Sequence, residues 1–220
     1  RGPAVDERRW RSLPPPVAPG EGERLVQLLA AWIERAERGR PDFTVAEIET
    51  SGVLALGGFS VRVRQDRVDR LADGSIAIID YKTGRTVAPQ RWFDPRPQAP
   101  QLGVYLLARR AADPAVAVGA IAYARLALDA LDWQGLARDA ALLPPLPSPE
   151  DATRGAFADW PAVETHWQRA IGDLATEIAT GVAVVAPRDK ASTCRRCGLQ
   201  SLCRIDGAVD EAADEASDGE

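Results

Sequence analysis

Between residues 43 and 81 the chain is punctuated twice by glycine turns, Gly57-Gly58 and Asp73-Gly74. Turns this short join only antiparallel neighbours, so the segments they separate must lie side by side in a sheet. The segments carry matching patterns. Phe43 to Glu49 and Val53 to Leu56 read as strand, and Phe59 to Asp69 sets Val61 and Val63 against Arg62 and Arg64. Ser75 to Tyr81, with Ile76, Ile78 and Ile79, reads as the most buried strand of the set.

Helical periodicity brackets this run. Leu25, Leu28, Leu29, Trp32 and Ile33 recur at three and four residues and predict an amphipathic helix from Glu21 to about Arg38. Gln101 to Ala112 reads as a helix, Val116 to Leu126 as a further strand, and 127–154, with Pro144, Pro145, Pro147 and Pro149, as a long connection. A last helix, Ala156 to Thr180, aligns Trp160, Val163, Trp167, Ile171, Leu174 and Ile178 along one stripe. Mixed strands sandwiched by helices define an α/β class.

The 220 residues suffice for one domain with a sizeable core. The prolines of residues 1–20 give an irregular lead-in, 21–205 form the domain, and 206–220 form an acidic tail expected to be disordered. That tail holds seven acids and no base, so the formal charge of −5 leaves 27 basic against 25 acidic residues for the body. Such a body is compatible with a polyanionic partner. No apolar run reaches the ~18 residues of a membrane span and no signal peptide is legible, which gives a cytoplasmic reading with no membrane partner. The chain opens on Arg1 and has no methionine, so it is expected to be a piece of a longer polypeptide.

The chemistry concentrates at 78–84, IIDYKTG. Strand alternation aims Asp80 and Lys82 to one side and Tyr81 to the other. The short Asp73-Gly74 turn is expected to bring Asp69 to the same point. Two carboxylates and a lysine beside a backbone carbonyl suit a hard divalent cation such as Mg2+, with the ammonium orienting a water or offsetting charge. The ordinary alternative for an Asp-x-Lys strand end is a surface ion pair.

Three blocks in order, Asp66-Arg67-Val68-Asp69-Arg70, Ile79-Asp80-Tyr81-Lys82-Thr83-Gly84 and Gln101-Leu102-Gly103-Val104-Tyr105, resemble the PD-(D/E)XK nuclease superfamily, in particular its RecB/AddB-type domains. The resemblance spans roughly 21–205. It implies a restriction-endonuclease-like core, a central mixed sheet flanked by helices. It further implies a Mg2+- (or Mn2+-) dependent DNA nuclease with Asp69 and Asp80 on the metal, helped by the Tyr81 carbonyl, and Lys82 as catalytic lysine. Asp66 then stands where the family has glycine. Glu49 is the candidate further acid, with Glu47 its competitor, and Gln101 and Tyr105 are expected to face the site and place DNA. The single histidine, His166, is read as structural or exposed.

Cys194, Cys197 and Cys203 have a spacing that argues for metal rather than disulfides. The resemblance implies a [4Fe–4S] cluster in the full-length protein, its fourth ligand upstream. Zinc is the alternative. The expected function is DNA repair or recombination nuclease, with DNA and a helicase or other upstream domain or subunit as partners; the alternative is a catalytically inactive DNA-end-binding or iron–sulfur scaffold domain. The chain has no P-loop of its own.

Overall fold

The computed structural model describes residues 18–84, 88–127, 130–187, 189–195, 197–203 and 205. The tail at 206–220 and all but the end of the 1–20 lead-in lie outside them. Helix α1 (Ala18–Trp32) starts ahead of the expected Glu21 and closes in a π-helical turn (Ile33–Glu37). Strands β1 (Phe43–Leu56), β2 (Phe59–Leu71) and β3 (Ile76–Lys82) follow, then a 3-10 turn (Pro89–Phe93) and α2 (Gln101–Ala112). Strand β4 (Val118–Ala127), β5 (Ala130–Ala137), α3 (Pro149–Thr153) and α4 (Trp160–Ala179) complete the body, and two short helices, α5 (Lys190–Cys194) and α6 (Gln200–Cys203), carry the cysteines.

The strands form one five-stranded sheet in chain order. Only β3 and β4 run parallel, because α2 carries the chain back between them; the other pairs are antiparallel. The sheet is therefore mixed and flanked by helices, a restriction-endonuclease-like arrangement. Two core layers follow from strand alternation. Val68, Ile76, Ile78 and Ile121 face α2 and α4, while Leu71, Ala77, Ile79 and Ala122 face α1.

Local chemistry explains the turns. Gly57 and Gly58 have φ of +57° and +88°, which glycine adopts without a Cβ penalty. A Cβ on Gly103 would lie 3.0 Å from Ile171 and Trp167, so glycine lets α2 approach α4 closely. Asp159 caps α4 by accepting from the Ala162 N–H, ahead of Pro161.

Two differences from the sequence expectation have physical causes. Phe43 to Leu56 is one strand, passing through Glu49 at φ +54° and a register shift between Val45 and Glu47. β5 falls within the stretch read as a connection. Its sequence, ALDWQGLA, holds no β-branched residue, and it is a strand because β4 offers it a free edge.

Candidate active site

Asp80 lies near the end of β3, only 3% exposed, on the face that meets α2. Gln101 opens α2 and bridges the site with both ends of its amide. Its Nε2 donates to Asp80 Oδ1 at 2.8 Å, and its Oε1 accepts from Lys82 Nζ at 2.7 Å. One turn on, the Tyr105 hydroxyl lies 2.7 Å from Gln101 Nε2 and donates to Asp80 Oδ1 at 3.5 Å. Lys82 Nζ also forms an ion pair with Asp80 Oδ2 at 2.6 Å. The ammonium also lies 5.1 Å from the Tyr123 ring, on the parallel neighbour of Asp80.

Asp80, Lys82, Gln101 and Tyr105 thus come together as expected from the sequence. Asp69 does not. It pairs in register with Ala77, on the face that meets α1, and is fully buried there between Arg40 (2.8 Å) and Arg67 (2.7 Å). Glu37 completes that charge network by accepting from Arg67 and Arg40. The carboxylate that does approach Asp80 is Asp66. The antiparallel register runs Asp69 to Ala77, Val68 to Ile78 and Arg67 to Ile79, so Asp66 comes next, across from Asp80. Its Oδ2 accepts from the Tyr81 N–H at 2.9 Å.

Burial pushes the Asp80 carboxyl above the usual aspartate range; Lys82 offsets part of this and the Asp66 charge adds to it. Burial likewise raises the Tyr105 and Tyr123 phenols, with Asp80 contributing to both.

The remaining candidates sit elsewhere. Glu49 is exposed and paired with Arg64. Glu47 is gripped by both terminal nitrogens of Arg109, at 2.9 and 2.6 Å. His166 lies among Phe93 and Phe157, away from Asp80, and burial lowers its pKa. Cys194, Cys197 and Cys203 are free thiols on the exposed C-terminal segment. No group of three or more His, Cys, Asp or Glu is assembled as a metal cage among the described residues. No helix among them is long and apolar enough to cross a membrane.

A fold whose parallel strand pair ends in a buried Asp-x-Lys, braced by Gln and Tyr from the crossover helix, defines a class of protein, and the family comparison agrees. The model of the PD-(D/E)XK nuclease superfamily matches residues 3–204, and the chain belongs to that superfamily. No curated protein matches the chain. The crystal structure of SSO0001 aligns over 86% of this chain and 70% of its own, at 17% identity and a TM-score of 0.36.

Proposed function

We propose that this protein is a divalent-metal-dependent DNA nuclease of the RecB/AddB type, acting in repair or recombination, with Asp66, Asp80 and Lys82 at its centre. The observation that carries the reading is the buried Asp80 carboxylate, held between the Lys82 ammonium and the Gln101 amide with the Asp66 charge beside it. Two carboxylates, with the Tyr81 carbonyl one residue on, are the oxygen donors that Mg2+ accepts while keeping waters and phosphate oxygens in its shell. A bound ion would polarise the phosphodiester and supply an activated water.

The protein's own groups do the rest. Gln101 holds Asp80 and Lys82 through the two ends of one amide, so carboxylate and ammonium are positioned before substrate arrives. Lys82 is one-third exposed, which leaves its ammonium open to a phosphate oxygen or the attacking water. Tyr105 limits the rotation of Asp80 from the apolar side.

The test is cleavage of single-stranded and duplex DNA in Mg2+ by parent and Asp80→Ala. The parent is expected to cut, chelation to stop it, and the variant to be inactive. Parent-like cutting by Asp80→Ala would favour the alternative, a DNA-end-binding module whose catalysis lies elsewhere.

A further inference from the structure

Asp66 lies between two clamps that grip β2 from opposite faces. On the α1 face, Arg67 and Asp69 are locked into the network with Glu37 and Arg40. On the α2 face the grip is Gln65, 2% exposed, which uses both ends of its amide. Its Nε2 donates to the Tyr105 carbonyl at 3.2 Å, and its Oε1 accepts from Arg109 Nε at 2.6 Å. Arg109 in turn forks onto Glu47 of β1. The buried amide therefore ties β2 to the helix that braces Asp80, and Arg109 ties that helix to β1.

The strand needs holding at this point. Val63, Gln65 and Val68 all bury toward α2, so the two-residue alternation of β2 breaks between 65 and 68. In the partner strand, Thr50 pairs with Gln65 and Ile48 with Arg67, which sets Glu49, with its left-handed φ of +54°, across from Asp66. The irregularity falls beside Asp66, whose Oδ2 is held by the Tyr81 N–H, so the aim of that carboxylate depends on how β2 is seated against its neighbours.

We propose that Gln65 is a positioning residue that sets Asp66 against Asp80. It bonds the Tyr105 main chain, whose side chain reaches Asp80, and it is joined by one peptide bond to Asp66. Both carboxylates are thereby referred to a single side chain that touches neither substrate nor metal. This rests on the metal-site reading of Asp66 and Asp80.

The test is Mn2+ titration calorimetry on the whole chain for parent, Gln65→Leu, Gln101→Ala and the double variant, with melting followed in EDTA. Gln65→Leu fills the same space without hydrogen bonds. It is expected to stay folded and bind Mn2+ about 10- to 100-fold more weakly. That loss should shrink markedly in the Gln101→Ala background, because both residues act through α2. If Gln65→Leu does not fold, Arg109→Leu, which takes away the same support from the partly exposed side, carries the same expectation. Parent-like Mn2+ binding by the folded variant, or fully additive losses, overturns the proposal alone. Absence of Mn2+ binding by the parent removes the metal-site reading, and this proposal with it.

Discussion

Asp69 and Asp80 lie on opposite faces of one sheet, the first sealed against α1 by two arginines and the second bridged to α2 by Gln101. Two acids close in sequence thus have different surroundings, and substitution is expected to separate their effects. Asp66→Asn should cut DNA about 100-fold or more slowly than parent with its folding intact. Asp69→Ala should instead lose about 3–5 kcal/mol of stability, because it leaves Arg67 and the fully enclosed Arg40 short of a counter-charge. Urea unfolding in EDTA, run beside the cleavage assay, tells the two effects apart.

The Asp80 carboxyl gives a pH signature. Its pKa in the folded protein is raised above the ordinary 3.8, so the folded state holds a proton that the unfolded chain has released. The associated stability is full at low pH and is lost as pH rises through the window above 3.8. Metal-free Asp80→Asn should lack this decline and be the more stable protein near neutral pH. Unfolding curves across that pH range, parent against variant in EDTA, measure the difference.

Gly103 links core packing to the site. Gly103→Val places carbon against Ile171 and Trp167, where even a Cβ would stand at 3.0 Å, at a cost of about 1–3 kcal/mol. Since Gln101 and Tyr105 ride on the same helix, cleavage should fall more than the stability loss alone explains. Single-turnover rates at a temperature where the variant is fully folded check this.

The sequence made much of this legible. Three isoleucines running into Asp-Tyr-Lys fixed β3 and the shared face of Asp80 and Lys82, and the four-residue spacing of Gln101 and Tyr105 placed both on one side of α2. The partner carboxylate was lost in a single residue of turn length. A two-residue Asp73-Gly74 turn would pair Asp69 with Ile78 and put it beside Asp80. In the structure Leu71 bonds Ser75 and the loop takes in Ala72, Asp73 and Gly74, the last at φ +80°. That extra residue shifts the register by one and sends every β2 side chain to the other face, so Asp66 replaces Asp69. Distance from the Gly57-Gly58 turn singled out Glu49, but its left-handed φ of +54° interrupts the strand there and its side chain pairs with Arg64, which no count along the sequence reveals. The role of Gln65 had no signal in the sequence, since its partners are 40 and 44 positions away.

The most direct measurement is anomalous scattering from a crystal soaked in Mn2+. A peak is expected between the Asp66 and Asp80 carboxylates, within reach of the Tyr81 carbonyl, and none beside Asp69. A peak at Asp69, or Mn2+ bound only away from Asp80, would contradict that expectation.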